Sequence, residues 1–182
     1  MQRKFFIPFG NTADHSIDYL LGIFYDARAT TLRIVKDIST EELHWQIQDG
    51  WNTIGALLSH IIAIGHYFRI VFIEERELTE EENERWTAGL NLGEYVPELI
   101  ADQSIEHYIE LLEDNYKQVV EAVKGLDLEK FHKKQNYYDP ENGSNLAWIL
   151  YHLAEDEVHH RGQISLLRKL YKQKELLLSV KN

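Results

Sequence analysis

Pro8, Pro97 and Pro140 are the only prolines in the chain, and all three lie outside the stretches where apolar side chains recur at helical spacing. A proline inside a helix removes a backbone donor and clashes with the preceding turn, so this placement leaves long segments free to be helical throughout. The first such segment starts with Thr12 as N-cap and Asp14 near the positive helix end, and runs to about Asp37. Ile17, Leu20, Leu21, Phe24, Ala27, Leu32, Ile34 and Val35 supply its apolar content. A turn over Ser39–Leu43 follows, with Ser39 and Glu42 at capping-box spacing. The second helix opens at Thr53, after the break at Gly50, Trp51 and Asn52, and ends near Glu75. It is apolar almost all round, which suits a central helix or one whose second face is buried in an oligomer.

Residues 76–103 are acidic and mixed and read as a long crossover with room for one short helix. The run Glu80–Glu82 within it reads as a solvated loop. Ser104 caps a third helix, with Ile105, Tyr108, Ile109, Leu112, Tyr116, Val119, Val120 and Val123 at helical spacing and Gly125 as its stop. A polar loop over 131–143 precedes a fourth helix, capped by Ser144 and continuing to about Tyr171. No alternation is long enough to make a sheet. Residues 1–182 therefore read as a single all-α domain, a four-helix bundle with a long crossover between helices 2 and 3.

Composition narrows the chemistry. A net charge of −11 argues against nucleic acid or an anionic membrane surface as the main partner. No run is expected to reach the roughly 20 apolar residues of a membrane span. The N-terminus lacks a sustained apolar signal region, so a cytoplasmic location is expected. With no cysteine, thiolate ligands and a cysteine nucleophile are excluded, and any metal must be bound by imidazole, carboxylate or water.

On the fourth helix, at about 100° per residue, Ile149, Leu153, Asp156, His160, Ile164 and Leu167 fall within about 80° of one another. Two ionisable residues one turn apart thus interrupt an apolar face. A buried carboxylate needs a charged or hydrogen-bonding partner. Helix 2 repeats the pattern singly, since Leu57, His60, Ile64, Tyr67, Phe68 and Val71 share a face. His60, Asp156 and His160 together would make a three-ligand metal site with an open position, the arrangement of a catalytic metal. A structural Asp–His hydrogen bond and an ordinary core histidine are the competing reading of the same residues. Glu41 and His44, with Glu157 and His160, have the Glu-x-x-His spacing of di-iron bundles. The first pair, however, falls in the turn after helix 1, and Glu157 is rotated away from His160. No phosphate loop, His-Glu-x-x-His motif or nucleophile elbow is present.

The stretch His152-Leu-Ala-Glu-Asp-Glu-Val-His-His-Arg-Gly-Gln-Ile164 resembles the helix-four signature of the DinB/YfiT-like metalloenzyme superfamily, in which His-x-x-x-His is followed directly by Arg-Gly-Gln. Thr53-Ile-Gly-Ala-Leu-Leu-Ser-His60 resembles the helix-two element that carries the family's third ligand. The resemblance implies His60 and His160 as ligands, with Asp156 standing where the family more often has histidine. It further implies one divalent transition metal, with nickel, zinc, iron and manganese all compatible with such a donor set. His152, one turn before Asp156, is a candidate partner of a ligand or an alternative ligand, and Gln163 is a candidate hydrogen-bond partner of a ligand or substrate. Arg161 points away from the metal face and suits helix packing or charge pairing. His159 suits the bundle edge, Tyr67 and Trp148 the core or a pocket wall. His15, His44, His66, His107 and His132 show no converging pattern.

Relatives of this kind imply a thiol-dependent S-transferase or isomerase that acts on a small-molecule electrophile and takes its sulfur from a low-molecular-weight thiol cosubstrate. The alternatives are a non-catalytic, stress-related dimeric metal-binding module, or a metal-dependent hydrolase. A homodimer is expected from the apolar second helix.

Overall fold

The computed structural model of the chain describes residues 1–7, 12, 14–93, 103–135 and 141–180. The three prolines lie outside these residues, as do 94–102 of the crossover and 136–140 of the loop before the last helix. The fold is all-α, and among the described residues the only extended pairing is an isolated bridge between Gln135 and Ser144. Among the described residues the α-helices are α1 (His15–Val35), α2 (Thr40–His44), α3 (Ile54–Phe68), α4 (Glu80–Asn91), α5 (Ile105–Lys124), α6 (Leu128–His132) and α7 (Leu146–Ser179). α3 continues into a π-helical turn, Arg69–Ile73.

Caps set where these helices begin. Thr53 caps α3, its hydroxyl accepting from the Ala56 amide at 3.0 Å, as the sequence suggests. At α1 the cap is Asp14 and not Thr12: Asp14 Oδ1 accepts from the Ser16 amide at 2.6 Å. Thr12 instead donates its hydroxyl to the Asp14 carbonyl and to buried Asp18. At α7 the cap is Asn145, whose Oδ1 accepts from the Trp148 amide, because Ser144 is held by the bridge to Gln135. α7 also runs on past Tyr171 to Ser179. The capping box expected at Ser39 is half made. Ser39 accepts from the Glu42 amide, but the buried Glu42 carboxylate turns inward to accept from Arg168 Nε at 2.8 Å.

The crossover differs most from the sequence reading. Glu80–Glu82 form the first turn of α4, opened by a complete capping box between Thr79 and Glu82. Acidic side chains there meet the positive helix end, which explains why three in a row are tolerated. α4 lies on α3 at close range, since a Cβ at Gly89 would stand 2.9 Å from both Ala63 Cβ and the Ser59 carbonyl oxygen.

Helix α3 packs against α4, α5 and α7, and α1 against α7 and α5. Neighbours within the chain thus cover most of this helix, while Ile64, Tyr67 and Val71 stay partly exposed. Ile54–Ile73 does reach twenty residues with mean hydropathy 1.7, contrary to the expectation that no run has the length and composition of a membrane span. It is the central helix, with 67% of its most apolar window buried inside the fold.

Buried apolar side chains form two clusters. One gathers Leu32, Leu43, Leu57, Leu58, Ile61, Leu112, Ile164 and Leu167, the other Phe24, Phe68, Val119, Val123, Ile149 and Leu153. Between them a polar waist crosses the molecule. Arg28 from α1 and Glu157 from α7, each only 1% exposed, meet at 3.0 Å. Arg28 also donates to the Leu112 carbonyl and to Asn115 Oδ1 on α5. Asn115 in turn donates to the Ile62 carbonyl of α3. His60, Asp156 and His160 belong to this same level of the fold.

Candidate metal centre

The Thr53 cap sets the phase of α3 so that His60 faces α7, and the apolar stripe of α7 turns Asp156 and His160 inward one turn apart. One ligand atom from each of these residues lies within 4.8 Å of the others. His160 Nε2 is 3.3 Å and His60 Nε2 is 3.9 Å from Asp156 Oδ1, and the two imidazole rings meet edge to face at 4.7 Å between centroids. The three side chains are 10–16% exposed, so the group is sheltered yet reachable by a small molecule.

The far nitrogens of both rings are already committed. His60 Nδ1 lies 2.8 Å from the carbonyl oxygen of Gly89 on α4. A carbonyl can only accept, so this nitrogen carries the proton and Nε2 presents its lone pair to the centre. His160 Nδ1 donates to Gln163 Oε1 at 3.1 Å, with the same consequence for its Nε2. Histidines that bind metals are oriented in this way, with the second N–H anchored on an oxygen.

Without a cation, the pKa shifts of the three groups reflect their contact with one another as well as burial. Burial opposes charge on Asp156, but its hydrogen bond to His160 and the fields of His160, His60 and His152 outweigh that, holding its carboxyl below the ordinary range. Burial pushes His60 towards the neutral form more strongly than the Gly89 bond and Asp156 oppose it. At His160 burial is overcome by Asp156 and Gln163, and its pKa is raised. A protonated His160 would answer Asp156 but still leave the His60 lone pair aimed at the same carboxylate. A single cation in the middle answers all three donors at once. Two imidazole nitrogens and one carboxylate oxygen are a competent set for a divalent transition metal.

The other candidates separate clearly. His152 Nδ1 donates to Glu155 Oε2 at 2.8 Å, and its ring stacks on Trp148 at 4.7 Å; it is not one of the three converging ligands. Tyr67 packs against Phe68 and Phe72. His159 is exposed and accepts from Gln163 Nε2. Arg161 donates to the Ala27 carbonyl, binding α7 to α1. His66 is buried against Trp86, ring on ring at 4.2 Å. The di-iron arrangement is not assembled: Glu157 is paired with Arg28, and His44 donates to the Gln103 carbonyl.

The sequence of this chain matches the model of one protein family, the DinB superfamily, over residues 23–164. The chain belongs to the DinB superfamily. No curated protein matches it. The DinB match contains both segments that supply the converging side chains, Thr53–His60 and His152–Ile164, and also α4 with Gly89. A DinB-type domain that binds a metal through His60, Asp156 and His160 fits both the family and the geometry.

Reading the sequence alone missed Gly89. A glycine within a helix costs about 1 kcal/mol relative to alanine and so marks a close approach, but that signal is readable only once residues 80–91 are known to be helical. Two cavities are relevant among the described residues. One of about 620 Å³ lies under the N-terminal segment, between Phe5, Gly22 and Val120, and does not touch the three ligand candidates. A smaller one of about 420 Å³ shares Gln163 with the centre.

Proposed function

We propose that this protein is a divalent-metal-dependent transferase in which a low-molecular-weight thiol attacks a small electrophile. The reading is carried by the convergence of two outward-anchored imidazoles and one carboxylate, with no further protein donor in the group among the described residues. Three protein ligands leave room for an exogenous one, as catalytic sites require. A divalent ion bound there supplies Lewis acidity, which lowers the pKa of a thiol or of water. His60 and His160 provide the neutral donors, and Gly89 and Gln163 keep their Nε2 lone pairs aimed inward. Asp156 contributes a negative charge, so the centre is a milder Lewis acid than three histidines would make. The sulfur must come from the cosubstrate, because the chain has no cysteine.

Metal content of protein purified without a nickel column tests the first half. Wild type should carry about one equivalent, His60→Ala and His160→Ala close to none, and Asp156→His should retain the ion. Loss of metal from Asp156→His would contradict the donor geometry. Turnover of monochlorobimane with a panel of small thiols tests the second half. A loaded protein without any thiol-dependent rate would favour a metal-binding module or a hydrolase instead.

A further inference from the structure

Gly162 sits in the interior of α7, a helix of 34 residues, and is exposed. A Cβ built on it would meet nothing within 4 Å. Gly65 and Gly89 differ, because a Cβ there would collide with Asn115 or with Ser59 and Ala63 on a neighbouring helix. Glycine is less favourable than alanine inside a helix. Nothing within the described chain requires it at 162, so the open flank fits a close approach by something outside the chain.

At about 100° per residue, Tyr151, Glu155, Val158, Gly162, Ser165 and Lys169 all lie within about 40° of the direction opposite His160. They follow one another at alternating intervals of four and three residues, the repeat by which one helix seats a second along its length. Tyr151 and Val158 stay 47% and 46% exposed, and on neighbouring α1 Tyr19 and Ile23 are exposed as well. Ile23 and Val158 border the same hollow, so the apolar surface continues from α7 onto α1. The central helix α3, by contrast, is mostly covered by its own chain.

Symmetry and charge name the occupant. When two copies of α7 run antiparallel about a two-fold axis at Gly162, each residue before it lies beside the residue equally far after it in the second copy. Gly162 then meets Gly162, where the missing Cβ lets the helices come close. Val158 comes beside Ser165 and Leu166 of the second copy, and Leu166 is 56% exposed. Glu155, seven residues before Gly162, comes beside Lys169, seven after it, and symmetry makes this pair twice. Glu155 meets His152 through Oε2, and Lys169 has no ion pair among the described residues. We propose that the chain forms a homodimer by antiparallel packing of α7 on α7, crossing at Gly162 and matched by Glu155 and Lys169. His160 faces the other way from the same turns, so the candidate metal centre stays open in the dimer. The dimer does not depend on the metal or on the reaction proposed above.

Sedimentation velocity of the full chain tests this, over roughly 1 to 300 μM, where a partly polar interface of modest size associates. Wild type should be dimeric at the top of that range. Glu155→Lys and Lys169→Glu should each weaken association about tenfold or more, because like charges then face each other twice. Mixing the two single variants should restore association, since both pairs in the mixed dimer are again of opposite charge. Gly162→Leu, whose side chain enters open space in the single chain, should stay folded by circular dichroism and sediment as a monomer throughout. A wild type that is monomeric across the range overturns the proposal and leaves this face to a different protein. A dimer indifferent to a folded Gly162→Leu overturns it too, as does a mixture of the two charge variants that associates no better than either alone.

Discussion

His60 and His66 lie less than two turns apart on α3, and their environments give them different chemistry. His60 has a carbonyl behind it and a carboxylate in front of it, so it is set as a donor. His66 is stacked on Trp86 with Arg69 and Arg85 nearby, and burial first, then those two cations, lower its pKa to about 4. It is therefore neutral when folded and near its ordinary value when unfolded. Between pH 6.5 and about 4 the unfolded chain takes up a proton that the folded chain refuses, so stability falls as pH drops through that window. The difference amounts to roughly 3 kcal/mol if the full shift is expressed. Urea denaturation of the metal-free protein at pH 7.5 and 4.5 measures it. His66→Phe, which keeps the ring on Trp86, should lose distinctly less stability on acidification than wild type; parallel losses would refute the assignment.

At the scale of the element, α4 matters beyond its length. The sequence of the crossover reads as acidic and mixed, yet Thr79 and Glu82 close a capping box and the helix it starts brings Gly89 against α3. Alanine at 89 should raise helix propensity by about 1 kcal/mol. The added Cβ would nevertheless stand 2.9 Å from the Ser59 carbonyl oxygen and from Ala63 Cβ, so α4 must move outward and take the Gly89 carbonyl away from His60. Overpacking costs about 1–3 kcal/mol and should win. Loss of the anchor on a histidine ligand typically weakens metal binding about 10–100-fold. Competition titration against a metal-sensitive chelator should show that loss in Gly89→Ala. A variant that is destabilised but binds metal as wild type does would mean that the Gly89 carbonyl does not orient His60.

Across the whole molecule, the buried Arg28–Glu157 pair and Asn115 connect α1, α7, α5 and α3 at the waist between two apolar clusters. Removing one partner of a fully buried pair leaves the other charge uncompensated, at about 3–5 kcal/mol. Arg28→Met should show that cost in chemical denaturation, and adding Glu157→Leu should recover much of it, because a matched apolar replacement removes the stranded charge. A double variant no more stable than Arg28→Met would argue that the remaining contacts of Arg28, to Leu112 and Asn115, are the ones that matter. Much of this architecture was legible beforehand. Helical periodicity, proline placement and the Thr53 cap depend on neighbours close in sequence, so the all-α fold, the four long helices and the inward faces of His60, Asp156 and His160 follow from the chain alone. Local chemistry was less decisive where one residue could serve two partners, as when Ser144 joined Gln135 and left the α7 cap to Asn145, or when Glu42 turned from its capping box to Arg168. Only the tertiary structure decided that Glu157 answers Arg28, that Gly89 anchors His60, and that Asn52 lines a cavity shared with Gln163. Those pairings join residues far apart along the chain, and their energies depend on distance and burial, which no local pattern encodes.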